Sequence, residues 1–306
     1  MHIHARTLKY FDMIKRCNSI REAARHLHVS ASAVNRQLLQ LEEEIGSPLF
    51  DRMTGGLRLT AVGELFARHV TTVLQDQNRL VSELDALRGI RRGELKIAAV
   101  EGVNADVLPN VLETMATRYP LVKIAIVNGG SSVVAQAVAD GDADIALGYN
   151  VQRSELLRQY AVGRFHLGAI MRAEHPLSQR KSVTFAECAR YPLILPGTAL
   201  STYEQMRPVL MNHKRPLTVV MESASIELAR TMAIRGLGLA FQTRIGIEKE
   251  MRDGTMVHLP LAGTKPILSE LGVYARDGRW LPPAMDALLR VLSDELARRE
   301  AEEVRS

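Results

Sequence analysis

The stretch Ser19-Ile-Arg-Glu-Ala-Ala-Arg-His-Leu-His-Val-Ser-Ala-Ser-Ala-Val-Asn-Arg-Gln-Leu-Leu-Gln-Leu-Glu42 decides how this chain is read. It predicts two short helices joined by a tight turn. Ser19 and Glu22 have the S-x-x-E spacing of a capping box, in which each side chain satisfies a backbone N–H at a helix start. Ala23, Ala24 and Leu27 make a slim apolar stripe, so this helix sits close to a neighbour. His28 and Val29 form the turn, and Ser30 caps the next helix. Val34, Leu38, Leu41 and Ile45 then recur at helical spacing, the buried face of that helix. The outward face carries Ser32, Asn35, Arg36 and Gln40. Such side chains hydrogen-bond base edges or phosphates. A helix-turn-helix carries its reading residues near the start of the second helix, where Ser32, Asn35 and Arg36 fall.

The flanks extend this pattern. Leu8, Phe11 and Ile14 space as a preceding helix that packs on the pair, and Gly46-Ser-Pro48 ends the second helix. Leu49 to Arg52, a glycine tip at Gly55-Gly56 and Leu57 to Thr60 predict a hairpin. Its Arg52 and Arg58 are placed to reach a sugar–phosphate backbone. Thr60 then caps a long helix running to about Arg88. Val70, Val73, Gln77, Leu80, Leu84 and Leu87 alternate three- and four-residue steps, an a/d seam. At ~1.5 Å per residue, roughly 28 residues reach about 42 Å. A solitary helix of that length needs a partner, either a second copy or the domain that follows it. Gly89-Ile-Arg-Arg-Gly93 reads as a hinge.

The quoted residues resemble a known family. Leu8, Tyr10-Phe11, Ser19, Ala23-Ala24, Leu27, Val29-Ser30, Ala33-Val34, Arg36-Gln37, Leu41-Glu42, Gly46, Leu49-Phe50, Arg52, Leu59-Thr60 and Gly63 are similar to the winged helix-turn-helix of LysR-type transcriptional regulators. The rest of the chain fits the family in length and layout. The resemblance implies a sequence-specific, cytoplasmic regulator of transcription with no cofactor, not an enzyme. It would bind promoter DNA as a dimer of dimers. A small-molecule effector would change the DNA bend and the contact with RNA polymerase. DNA contacts would come from Ser30, Ser32, Asn35, Arg36, Gln37, Gln40, Arg52 and Arg58. Three positions depart from the family: Ala31-Ser32 replaces Gln-Pro, Asn35 replaces Ser, and Gly55 stands where the wing often has a basic residue.

Composition agrees with a DNA-binding amino end. Residues 1–92 hold 14 Lys+Arg against 10 Asp+Glu, while the remainder holds 25 against 24. The positive excess therefore sits where phosphates would need neutralising. No run of ~18 apolar residues occurs, so no membrane-spanning helix is expected, and the amino terminus lacks a secretory apolar region. Cys17 and Cys188 fall in different predicted domains, and a structural disulfide is not expected in a reducing compartment.

Beyond the hinge, strands alternate with helices. Leu95–Val100, Val122–Val127 and Ala143–Gly148 read as strands, with helices between them, as in a parallel, layered α/β domain. Further strands are predicted at Phe165–Met171, Leu193–Leu195, Leu217–Met221, Leu237–Phe241 and Leu271–Tyr274. Helices are predicted near Tyr203–Leu210, Ile226–Ile234, Ile245–Met251 and Pro283–Arg305. The resemblance implies a two-lobed effector domain like the type 2 periplasmic binding proteins. The chain is expected to be multidomain: a winged helix-turn-helix classed as all-α at 1–60, a long linker (dimerisation) helix and hinge at 61–92, and an α/β effector domain at 93–306. Lobe I takes 93–163 and 269–306, and lobe II takes 164–268.

In α/β lobes, ligands bind beyond the carboxyl ends of strands and at helix starts. That rule selects Glu101, Gly102, Asn128, Ser131, Ser132, Ser201, Thr202 and Ser223. The same Ser, Thr and Asn residues also serve as ordinary helix caps. Glu101 stands where the family often has a hydroxyl. A carboxylate there either shapes effector choice, toward an amine, a guanidine or a zwitterion, or stabilises a helix start. Asp140-Gly-Asp-Ala-Asp144 lacks the closing Glu of a calcium loop and reads as a turn. His26 and His28 have no further ligand to complete a metal set. No nucleophile motif of the G-x-S-x-G type occurs. Two rival classes remain open at this point: a solute-binding protein and an enzyme using the cleft.

Overall fold

The computed structural model describes residues 4–87, 93–263, 265–278 and 281–305. It falls into two units, Met1–Arg88 and Gly89–Ser306.

The first unit runs α1 (Ala5–Cys17), α2 (Ile20–Leu27), α3 (Ala31–Ile45), β1 (Phe50–Met53), β2 (Gly56–Leu59) and α4 (Ala61–Leu87). Asn18 and His28 turn the chain between helices in left-handed conformations, at φ 51° and 54°. Ser19 Oγ accepts the Glu22 N–H at 3.3 Å. The reciprocal half of the expected box is replaced, because Glu22's carboxylate pairs with Arg25 instead. Ser30 Oγ accepts the Ala33 N–H at 3.2 Å, as a cap should. Leu8, Phe11, Ile14, Ala23, Ala24, Val34, Leu38 and Leu41 close one core with Leu49, Phe50, Phe66 and Val70. Phe11 centres it, 4.9 Å edge-on from Phe66 and 5.2 Å from Phe50 between ring centroids.

The hairpin β1–β2 is antiparallel, with Asp51 opposite Arg58 and Met53 opposite Gly56. Backbone N–H groups at both of its ends fix it to the helices. Glu42 Oε1 accepts the Leu49 N–H at 2.7 Å, and Asn18 O accepts the Leu57 N–H at 2.9 Å. Thr60 caps α4: its Oγ1 accepts the Gly63 N–H at 2.9 Å and donates to Pro48 O at 2.8 Å. The expected seam of α4 behaves in two parts. Val70 is buried and Val73 packs on the core of its own unit, whereas Leu80, Val81 and Leu84 are exposed. Arg88 and the expected hinge residues 89–92 lie outside the described residues.

Among its described residues the second unit holds a five-stranded and a four-stranded sheet and a two-stranded pair, with helices on their faces. It runs β3 (Gly93–Ala99), α5 (Val107–Arg118), β4 (Val122–Asn128), α6 (Ser131–Ala139), β5 (Ile145–Tyr149), β6 (Leu157–His166), β7 (Gly168–Arg172), β8 (Val183–Thr184) and α7 (Phe185–Cys188). There follow β9 (Leu193–Pro196), α8 (Ser201–Asn212), β10 (Val219–Ser223), α9 (Ile226–Ile234), β11 (Ala240–Gln242), α10 (Glu248–Arg252), β12 (Met256–Ala262), β13 (Leu268–Arg276) and α11 (Pro283–Arg305). One sheet has the order β4-β3-β5-β13-β6 and the other β11-β7-β12-β8, with β10-β9 beside it. Strands β3, β4 and β5 are parallel, as the alternation predicts. Strand β13 runs antiparallel to β5 and β6. The chain re-enters this sheet directly from the other one, without a crossover helix to reverse it.

Two segments cross between the lobes. Phe165 lies in the first core and Leu167 in the second, so β6 and β7 are separate strands, where Phe165–Met171 reads as one in the sequence. On the return path Ile267 packs on the second core and Leu271 on the first. The crossings are tied together, since the Leu167 N–H donates to Ile267 O at 2.8 Å.

Candidate functional site

The first candidate surface lies on α3 and the hairpin. Burying Val34, Leu38 and Leu41 turns the opposite side of α3 outward. Ser30, Ser32, Arg36 and Gln40 are exposed there, as are Arg52 and Arg58 on the hairpin. Asn35 and Gln37 are half-buried. Arg52 Nη2 lies 3.4 Å from Asn35 Oδ1, which joins hairpin to helix. Gln37 Oε1 accepts from Thr7 Oγ1 at 3.4 Å, so this side chain braces α1. Ser30 and Ser32 hydroxyls are 3.0 Å apart. Among the described residues the Asn35 amide N–H groups meet no acceptor. Bidentate pairing with an adenine would also require its oxygen to be shared with or released by Arg52.

The second is a cavity of about 430 Å3 between the two lobes of the second unit. Strand ends and helix starts converge on it because the open sheets point those ends at the crevice. Of the residues expected from the sequence, Glu101, Gly102, Asn128, Ser131, Ser201 and Thr202 line it. Ser132 is exposed on α6 and Ser223 is buried; neither is in the lining. Ser223's hydroxyl is spent on Ser225, donating to its O and accepting its N–H, both at 3.0 Å.

The cavity also takes Asn104, from the segment after the first strand that the sequence marks, and polar groups that it did not single out: Tyr149, Gln242, Thr243 and Ser269. Tyr149 and Thr243 bridge the lobes through hydroxyls 2.8 Å apart. Burial pushes the Tyr149 phenol well above its ordinary value, so it stays neutral. Ser131 Oγ accepts the Tyr149 N–H at 3.0 Å, and Asn128 Nδ2 donates to Asn104 Oδ1 at 3.1 Å. Ser269 donates to Gln205 Oε1 at 2.7 Å. Tyr149 ends β5 and Thr243 follows β11, and a strand end was the signal available to find them.

Two carboxylates beside the cavity hold the lobes together. Glu101 lies in a 3-10 turn, Glu101–Val103, after β3. Its Oε1 accepts from Ser225 Oγ at 2.9 Å and its Oε2 accepts the Ile226 N–H at 2.8 Å. Both partners stand at the start of α9 in the other lobe. Asp106 Oδ2 accepts the Gly246 N–H at 2.7 Å and lies 2.9 Å from Arg299 Nη1. Arg299, only 1% exposed, also pairs with Glu248 of the second lobe and with Glu295, the latter at 2.7 Å. Burial raises the carboxyls of Asp106 and Glu248 above their ordinary values, against the opposing pull of Arg299. The suspected calcium loop is a turn into β5, where Asp144 Oδ2 accepts the Lys96 N–H at 2.7 Å. No group of three potential metal ligands occurs among the described residues.

Buried Cys188 has its thiol pushed up to about 12 by burial, which keeps it unreactive. His258 sits against the crossing, its Nε2 3.1 Å from Gln242 O; burial lowers it to about 4, so it is neutral near pH 7. Among the described residues no helix is long and apolar enough to cross a membrane.

Comparison with known proteins follows the same division. The family described as "Bacterial regulatory helix-turn-helix protein, lysR family" matches residues 5–64. The "LysR substrate binding domain" matches residues 88–297. A RuBisCO operon transcriptional regulator of Allochromatium vinosum is 26% identical over 298 residues, 97% of this chain and 98% of that protein. The HTH-type transcriptional regulator CbbR of Rhizobium meliloti is 28% identical, covering 93% of this chain and 91% of its own. A full-length OxyR variant from Pseudomonas aeruginosa has the same fold, with a TM-score of 0.72 at 20% identity over 97% of this chain and 95% of that one. So does full-length CbnR solved with its target DNA, with a TM-score of 0.58 at 18% identity over 96% and 100%. With a matching helix-turn-helix at one end and a matching substrate-binding domain over most of the remainder, the chain belongs to the LysR family of DNA-binding transcriptional regulators.

Proposed function

We propose that α3 and the hairpin read a promoter sequence, and that a small molecule bound between the lobes alters that binding. The observation that carries this is the two-sided construction of α3. One side is locked into an aromatic core, and the other offers Ser32, Asn35, Arg36 and Gln40 beside the hairpin arginines. Asn35 contacts a base edge, with adenine as its natural partner. Arg36 contacts a guanine or a phosphate. Ser30, Ser32, Gln40, Arg52 and Arg58 set the register on the backbone, and Gln37 supports α1 behind them. The functional divisions are 1–60, 61–92 and 93–306.

Self-association follows from α4. Leu80, Val81 and Leu84 leave an apolar strip on a helix whose opening turns are already packed. Pairing two such helices gives a homodimer, and a second contact through the effector domains gives a tetramer that bends promoter DNA. The effector acts through its differential affinity for two lobe arrangements, which changes the bend and the contact with RNA polymerase. A DNA-binding regulator of this kind works in the cytoplasm.

Footprinting on the DNA upstream of its own gene tests this reading; a protected site that changes in length or hypersensitivity with an added metabolite is expected, and uniform cleavage excludes it. Asn35→Ala should relax base preference at one position by ~1–3 kcal/mol. Equal losses on specific and random duplexes would remove Asn35 from base reading. Arg36→Ala should flatten the salt dependence of affinity by about one ion. An unchanged slope, with affinity lowered, would place Arg36 on a base rather than on a phosphate.

A further inference from the structure

Glu101 does stabilise a helix start, as one of its two expected roles has it, but the helix belongs to the other lobe. It does not cap the helix that follows it. Its two oxygens reach 124 and 125 residues along the chain to Ser225 Oγ and the Ile226 N–H, where α9 begins. Those are the groups with which a helix start holds an anion. Ser225 also holds the turn from within, since its Oγ accepts the Leu228 N–H at 3.1 Å and its O accepts the Ala229 N–H at 3.2 Å. The two backbones also touch at this point. A Cβ on Gly246 of lobe II would lie 2.5 Å from Gly102 O of lobe I. Around Glu101 the cavity lining is otherwise uncharged, built of hydroxyls, amides and aliphatic groups, with no Lys, Arg or His in it.

We propose that Glu101 is a tethered anion that occupies the α9 seat, clasps the lobes, and confines the cavity to ligands that present hydrogen-bond donors, not a carboxylate, at that end. Each Glu101 oxygen spends one acceptor position on lobe II and keeps another for the cavity. A ligand hydroxyl, amide N–H or ammonium can share the carboxylate without breaking the clasp. A ligand carboxylate would have to expel it against like-charge repulsion. The statement about ligand class rests on reading the cavity as the effector site. The clasp itself does not.

Formate tests the clasp without any effector. Thermal unfolding of the full-length protein is followed in sodium formate and, at equal ionic strength, in sodium chloride, for wild type, Glu101→Ala and Glu101→Gln. Glu101→Ala empties the seat, so its Tm should fall below wild type and formate should raise it saturably, by about 3 °C more than chloride. Wild type, whose seat is filled, should show no formate-specific rise. Glu101→Gln still fills the seat and should show none either. Glu101→Ser replaces the alanine variant if that one does not purify. A formate response equal in wild type and Glu101→Ala, or as large in Glu101→Gln, would overturn the proposal, as would a Glu101→Ala protein unaffected in both Tm and formate response. A metabolite later found to act outside the cavity would overturn the effector reading and leave the formate result standing.

Discussion

Arg299→Met is expected to lower the stability of the second unit by about 3–5 kcal/mol at neutral pH, because it removes one partner from a buried charge cluster. Arg299 touches Asp106 and Glu295 of one lobe and Glu248 of the other. Methionine fills much of the volume but leaves Asp106 and Glu248 without their shared cation. The effect has a pH signature. Burial already raises both carboxyls above their ordinary values, and Arg299 holds them down. A carboxyl whose folded pKa exceeds its unfolded pKa supports the fold fully below the unfolded value, and that support is lost as pH rises through the folded value. Without Arg299 both values rise further, so the deficit is largest near pH 7 and narrows as the solution is acidified toward ~5. Glu295 resists this trend. Burial pushes it up, but hydrogen bonds from Arg298, Arg299 and Asn110 together hold it below its ordinary value, and Arg298 remains in the variant. Urea midpoints by circular dichroism at the two pH values check this. A deficit that widens in acid would show that the cluster is not the source.

Gly63→Ala is expected to cost the DNA-binding unit about 3 kcal/mol and to abolish specific DNA binding with it. A Cβ at this position would lie 2.0 Å from the Leu49 carbonyl oxygen. That atom is backbone at the entry to the hairpin, and it also accepts the Thr60 N–H at 3.0 Å. Neither α4 nor the hairpin can yield without moving Phe66 or Phe50 off Phe11. The loss is read as a lower first transition in calorimetry, with the second unit unmoved. An alanine variant with wild-type melting and affinity would contradict the close packing.

The helices were legible because their ends are chemically marked. Ser225 opens α9 and Pro283 opens α11, and both helices span the residues that periodicity assigns to them. Three strands escaped, β8 because it has only two residues. Strand β6 is an edge strand with Arg158, Gln159 and Arg164 among its apolar residues, which blurs the alternation. Strand β12 contains Pro260, a residue that argues against a paired strand in sequence. The cavity was half legible. Helix starts gave Ser131 and Ser201, whereas Tyr149, Thr243 and Ser269 meet there only through sheet order and the two crossings. Glu101 was visible as an oddity, but its partners lie in the other lobe, so local sequence could not assign its role.

Competition binding tests the central claim most directly. Fluorescence anisotropy of the purified protein is measured at ~150 mM salt on its upstream duplex and on a scrambled duplex of equal length. Side chains of α3 that read bases should make the upstream duplex at least ~1,000-fold tighter. Equal affinity for both, with and without candidate metabolites, would contradict the account.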